Sequence, residues 1–364
     1  MNFNKMSFED KFGQMIMLGL DIYEINDEVI KLIEKYKIGG VVLYKKNYTS
    51  IETMINVINK LKKINRENKI PLFIAIDQEN GRVNRLPKDI NRIYSAYKQG
   101  KSKNIKLVNS VNELTTYILN SVGINMNFAP VLDITRDEMR KVIGNRSYGK
   151  TKEDVIKYGL PFMKCLQENN IVSVVKHFPG HGITNKDRHL SFHKISEIEE
   201  LEKNDLIPFE YAIKNNADAI MVGHMKIKGY GLLPATLNKK IINEMLINKY
   251  SYKGLIVTDD IRMGLFNHIY GIKKSIIKAV CAGNDIIMVK YKRGDILRIY
   301  KDLYKMVRNY EIDIERINNS AKKIVNMKKK YQINDSEINS KLEIDLINKR
   351  IKKINELIDK EIGV

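Results

Sequence analysis

At 364 residues with 43% hydrophobic content, the chain is long enough for one large domain or two ordinary ones around a sizeable core. Its apolar runs are too short to cross a bilayer, so no membrane segment is expected. The formal charge of +20 comes without an aromatic-interleaved basic cluster, so it reads as a solvated basic surface and not as a nucleic-acid footprint, although an anionic substrate would gain in encounter rate.

The N-terminal stretch lacks a basic start followed by a small-residue cleavage site, so no signal peptide is expected. From there, short apolar runs alternate with amphipathic ones. In chain order, the candidate strands are residues 14–20, 39–44, 72–77, 125–130, 172–178, 219–225, 255–260 and 285–289. Helical patterns lie between them at 50–66, 111–123, 153–169 and 205–217. Continuous apolar runs are what strands buried on both faces show. Eight such strands with intervening helices predict an α/β fold, a closed (β/α)8 TIM barrel over residues 1–331; an open doubly wound sheet is the alternative. Past residue 331, a stripe of Leu342, Ile347, Ile351, Ile354 and Leu357 or Ile358 predicts an amphipathic helical extension over 332–364, docked on the barrel or on a partner subunit. Cys165 and Cys281 are two and widely separated, which fits a reducing compartment and a cytoplasmic protein.

A barrel gathers its chemistry just past the C-terminal ends of its strands. Charged residues follow the apolar runs at Asp77, Asp133, Lys176 with His177, His224, and Asp259 with Asp260. Four of the six histidines, His177, His181, His189 and His193, fall within "KHFPGHGITNKDRHLSFH". Such a loop either holds a metal or moves protons. For a metal, His177 and His181 would be joined by Asp187 and His189, but Pro179 and Gly180 argue against a helical i, i+4 pair and no zinc spacing results. For proton transfer, Asp187 two residues before His189 can fix its tautomer and support its charge. Asp259, at the tip of the seventh strand, supplies a carboxylate nucleophile, and Asp260 suits a capping role. A carboxylate nucleophile with a proton shuttle is the equipment for retaining glycoside hydrolysis.

At this point "IAIDQENGRVNRL", "IGNRSYG", "KHFPGHG" with Asp-x-His after it, "MVGHMKI" through "PATLN", and "GLIVTDDIRMG" together resemble the β-N-acetylglucosaminidases of glycoside hydrolase family 3. The resemblance runs in order from about residue 10 to residue 330. It implies Asp259 as nucleophile, His189 held by Asp187 as acid/base, and Asp77, Arg85, Arg146, Lys176 and His177 as sugar contacts. It implies no cofactor and no metal, an N-acetylglucosamine-containing glycoside as substrate, and muropeptides as the natural source. A monomer or a homodimer is expected. Two departures stand out: Asn80 precedes Gly81 where the family often has two glycines, and Arg188 is bulkier than usual within the Asp-x-His dyad. A phosphorylase or β-glucosidase of the same family is the nearest alternative activity, and a metal-dependent barrel hydrolase a more distant one.

Overall fold

The computed structural model describes residues 3–136, 139, 142–181, 194–195, 198–263, 269–309 and 311–364. Its barrel strands are β1 (Ile16–Gly19), β2 (Gly40–Leu43), β3 (Phe73–Ile76), β4 (Met126–Asn127), β5 (Val172–Phe178), β6 (Ala219–Val222), β7 (Leu255–Thr258) and β8 (Ile287–Lys290), and a separate short parallel pair joins Lys194–Ile195 to Lys226–Ile227. They pair in parallel in the order β8-β1-β2-β3-β4-β5-β6-β7. The two ends of that order meet: Val257 bridges Ile286 in parallel, and the Thr258 N–H donates to the Ile286 carbonyl at 2.9 Å. The barrel expected from the alternating pattern is therefore the fold, and the open sheet is not. The strands carry buried side chains almost throughout, as their apolar runs require.

Helix boundaries follow the caps more than the apolar periodicity. The helices are α1 (Phe8–Gln14), α2 (Asp27–Glu34), α3 (Ile51–Asn65), α4 (Ala96–Lys101), α5 (Ile105–Ser121), α6 (Lys152–Glu168), α7 (Ile207–Lys214), α8 (Ile272–Ala282), α9 (Asp295–Arg308), α10 (Ile314–Lys330) and α11 (Ile344–Ile362). Ser7 and Asp10 cap α1 reciprocally, and the helix takes Gln14 from the run expected to be strand. Asn104 accepts from the N–H groups of Lys106 and Leu107, so α5 begins six residues before its apolar period becomes regular at 111. Pro208 sits in the first turn of α7, where its missing N–H costs nothing.

The C-terminal helix α11 packs on α4 and α5 of its own barrel. Ile347, Ile351 and Ile358 are buried in the main core, whereas Leu357 is 40% exposed, so Ile358 is the inward member of that pair. Polar groups fix the dock: Asn348 donates to the Asp89 carbonyl at 2.8 Å, and Lys98 pairs with Asp359 at 2.9 Å. Among the described residues, no helix is long and apolar enough to cross a membrane.

At the other end of the barrel from the site, Lys328 of α10 is fully buried. Its Nζ donates to Gln14 Oε1 and to the Gly39 carbonyl, 2.7 Å each, and lies 4.7 Å from the Phe73 ring centre. Burial pushes this ammonium down to about 7, with Asp335 opposing only in part. A cation whose folded value is lowered leaves the native state with fewer protons than the unfolded chain between that value and the unfolded one near 10.5. Its contribution to stability therefore rises as the pH rises from 7, and is flat below 7. Denaturant unfolding of wild type and Lys328→Met across pH 7 to 9 checks this. The difference between them should move in favour of wild type by about 1 kcal/mol per pH unit; a pH-independent difference would show that the lysine stays charged.

Candidate active site

The loop after β3 is tied into a fixed shape by Gln78, which is fully buried. Its Oε1 accepts from the Arg85 N–H at 2.8 Å, and its Nε2 donates to Asn80 and Asn84, 2.8 Å each. Asn80 and Gly81 both take left-handed backbone, φ 70° and 61°. Asparagine tolerates this region, so the turn forms with Asn80 where two glycines were the family's habit. The turn sets Asp77 and Glu79 side by side at the barrel mouth.

Those two carboxylates meet Lys176 of β5. Its Nζ is 2.8 Å from Asp77 and 2.6 Å from Glu79, and the side chain is 2% exposed. Burial opposes the ammonium, but Asp77 and Glu79 outweigh it and hold the lysine above its ordinary value. Arg146, from the turn Gly144–Arg146, closes a fork on Glu79 through Nε at 2.7 Å and Nη2 at 2.8 Å. Burial would raise Glu79, yet Arg146 and Lys176 keep it far below the usual carboxylate range.

His177 continues the network. The ladder between β5 and β6 pairs Lys176 with Met221 and Phe178 with Val222, skipping His177. The bulge lets Lys176 and His177 both serve the mouth, where a regular strand would send them to opposite faces. His177 Nδ1 lies 2.7 Å from Asp133 Oδ2, and Arg146 Nη2 lies 3.3 Å from Nε2. The carboxylate fixes the proton on Nδ1 and leaves the Nε2 lone pair toward the guanidinium. Burial keeps this imidazole below its ordinary value, so it is neutral. His181 delivers its own Nδ1–H to Asp133 Oδ1 at 2.8 Å, and the backbone N–H groups of His177 and His181 also point at the carboxylate. Burial works against the Asp133 charge, but His181 and His177 hold it well below its usual range.

Asp259 follows β7 and is half-buried at the mouth. Burial raises its carboxyl; His224, His177, the Asp260 N–H and Lys176 lower it by more, so the group is ionised. Asp260 is buried and accepts from the N–H groups of Arg262 at 3.0 Å and Lys290 at 3.1 Å, contacts that fit the cap expected of it. Arg85 lies with its guanidinium 5.8 Å from the Tyr44 ring centre, and among the described residues its buried Nε meets no hydrogen-bond acceptor. The structure thus brings Asp77, Arg146, Lys176, His177 and Asp259 together, with Arg85 on the loop clasped by Gln78. Asp187, His189, Arg188 and His193 lie outside the described residues.

Two members of this constellation went unassigned in the sequence. Glu79 hid inside "DQENG", where only its position two residues from Asp77 signals a shared face. Asp133 stands in the sequence as a charge after the fourth strand, with no motif around it that names its partners. Ligand-capable atoms of Asp133, His177 and His181 lie within 4.8 Å of one another. Their geometry is that of two imidazole N–H groups satisfying one carboxylate, and a guanidinium at His177 Nε2 repels a cation there. The arrangement orients side chains; with a cationic and an anionic hydrogen-bonding wall around an ionised Asp259, it can hold a hydroxyl-rich ligand against a nucleophile.

Comparison with known proteins points the same way. The family model described as the glycosyl hydrolase family 3 N-terminal domain matches residues 7–327. The chain is 29% identical over 333 residues to beta-hexosaminidase A of Pseudoalteromonas piscicida, covering 83% of this chain and 55% of that protein. It is 30% identical to the beta-hexosaminidase of Photobacterium profundum, covering 75% of this chain and 81% of that one. Among solved structures, a glycoside hydrolase family 3 β-N-acetylglucosaminidase from Paenibacillus sp. is similar with a TM-score of 0.88 and 30% identity, over 97% of this chain and 69% of that chain.

Proposed function

Because the chain belongs to glycosyl hydrolase family 3, we propose that it is a retaining exo-β-N-acetylglucosaminidase. The observation that carries this reading is the placement of Asp259 at the mouth of the barrel, beside the Lys176–Asp77–Glu79–Arg146 network. The β-hexosaminidase and β-N-acetylglucosaminidase names of its relatives support the sugar class. Asp77 accepts from sugar hydroxyls while Arg85, Arg146 and Lys176 donate to oxygens of the glycone.

The chemistry runs in two displacements. An Asp259 carboxylate oxygen attacks the anomeric carbon as the bond to the aglycone oxygen breaks. His189, steered by Asp187, gives its proton to that departing oxygen. Water then attacks the anomeric carbon, His189 takes the water's proton, and the Asp259 carboxylate leaves. In this reading the natural substrate is a peptidoglycan-derived muropeptide in the cytoplasm, which the family resemblance and the free Cys165 and Cys281 support.

One experiment tests both the sugar and the acid. Wild type should release aryl alcohol from an aryl β-N-acetylglucosaminide and leave the matching β-glucoside nearly untouched. His189→Ala should lose on the order of 10²- to 10⁴-fold on a poor leaving group and far less on dinitrophenol, which departs without a proton. Equal losses on both would remove His189 from the acid role, and preferential glucoside turnover would overturn the sugar class.

A further inference from the structure

His224 stands two residues past β6, where the tips of β5 and β6 touch: a Cβ placed on Gly223 would lie 3.2 Å from the His177 Cβ. Its imidazole meets an acceptor at each nitrogen. Nε2 is 3.0 Å from the carbonyl oxygen of Asp260, an atom with no hydrogen to give, so Nε2 carries a proton. Nδ1 is 2.7 Å from the Thr236 hydroxyl. That hydroxyl owns one hydrogen, and it also lies 2.7 Å from the Gly223 carbonyl and 3.2 Å from that of Val222. If the hydrogen went to Nδ1, two oxygens would face each other at 2.7 Å with no proton between them. If it goes to the carbonyl, Nδ1 must be the donor to the hydroxyl. Only the second assignment satisfies all three short contacts, and Thr236 is fully buried, so no bulk water substitutes.

We propose that His224 is held as the imidazolium and is a positioning residue for Asp259, clamping the Asp259–Asp260 segment and keeping a positive charge beside the carboxylate. The proposal rests on Asp259 being the nucleophile. The titratable groups that face Asp259 beside this imidazole are Asp260 of the β7 tip and His177 and Lys176 of β5, and Lys290 of β8 meets Asp260 through its backbone N–H. His177 is neutral, so Lys176 is the competing cation, and its ammonium is already committed to Asp77 and Glu79. The negative charge at this place is that of Asp259 together with Asp260, and Asp260 is held by the backbone N–H groups of Arg262 and Lys290.

A fixed cation there acts differently on the two displacements. When the glycosyl–oxygen bond to Asp259 breaks, the bonding electron pair returns to the carboxylate, and the adjacent imidazolium stabilises that developing charge. In the first displacement the same cation lowers the basicity of the attacking oxygen. Its removal should therefore slow release of the glycosyl-enzyme more than its formation.

Two measurements test this. Nitrogen-15 NMR of wild type at pH 7, with the His224 resonance assigned by its loss in His224→Asn, should show protons on both ring nitrogens. A bare, pyridine-type Nδ1 would overturn the proposal, and this arm needs no turnover, so it fails independently of the nucleophile assignment. With a dinitrophenyl substrate, His224→Asn should lose kcat by about tenfold with KM falling alongside it, and show a pre-steady-state burst of phenol. A fall in kcat with unchanged or raised KM and no burst would mean that the residue only holds the fold. Should the asparagine variant not fold, His224→Gln serves for the same assignment and the same kinetics.

Discussion

Asp259→Ala is expected to reduce kcat by at least about 10⁴-fold on every substrate while leaving the barrel folded, since loss of an enzymatic nucleophile costs on this scale. The contacts of Asp259 among the described residues support a chemical role more than a structural one. Among the described residues, its Oδ1 accepts only the neighbouring Asp260 N–H at 2.7 Å, whereas Asp260 ties β7 to β8 through the Lys290 N–H. Unfolding of Asp259→Ala in urea should thus stay near wild type, and Asp260→Ala should be the destabilised one. Adding azide separates a nucleophile from a mere electrostatic partner. The alanine leaves room for a small anion on the face the carboxylate occupied, so activity on a dinitrophenyl glycoside should return with azide and yield the α-linked glycosyl azide, identified by proton NMR. No azide adduct, or a β-linked one, would contradict the double displacement.

Lys176→Met should be the most damaging substitution for stability, at about 3–5 kcal/mol, because it strands buried carboxylates without their counter-ion. Lys176 is 2% exposed and bridges Asp77 and Glu79, and Glu79 is equally buried. Once the ammonium is gone, Arg146 still neutralises Glu79, but Asp77 loses the ion partner it has among the described residues and swings from the place where it would meet the sugar. kcat/KM should fall with it. The double variant Lys176→Met with Glu79→Gln discriminates charge balance from packing: it should recover part of the lost stability, as coupled sites do, yet none of the activity. Denaturant midpoints together with aryl-glycoside kinetics give both readings. Strictly additive losses would mean that the two side chains do not share one network.

Acid should act on the same cluster. Glu79 and Asp133 are both held below their ordinary values by cationic or imidazole N–H partners. Carboxylates lowered in the folded state contribute stability that is complete above their unfolded values and is lost as the pH falls through the folded ones. That loss belongs below about pH 4.

Much of this molecule could be read along the chain. A buried parallel strand needs an unbroken apolar run, so eight such runs spaced by amphipathic helices named the barrel, and the charges just past each run marked Asp77, Asp133, Lys176, His177, His224 and Asp259 as mouth residues. The amphipathic stripe past residue 331 marked the inner face of α11, although its period alone could not choose between Leu357 and Ile358. What pairs with what was decided by closure of the barrel. Lys176 and Asp77 are 99 positions apart and meet only because β3 and β5 point their tips at one opening. Asp133 takes on two histidines, and Glu79 takes on Arg146, for the same reason: Coulomb attraction is strong between buried neighbours and indifferent to sequence separation. Strand alternation sends His177 and Lys176 to opposite faces, and a bulge in the β5–β6 ladder turns both toward the barrel mouth. Local periodicity thus specifies elements and their buried faces, whereas hydrogen-bond partners depend on distances that exist only once the sheet has closed.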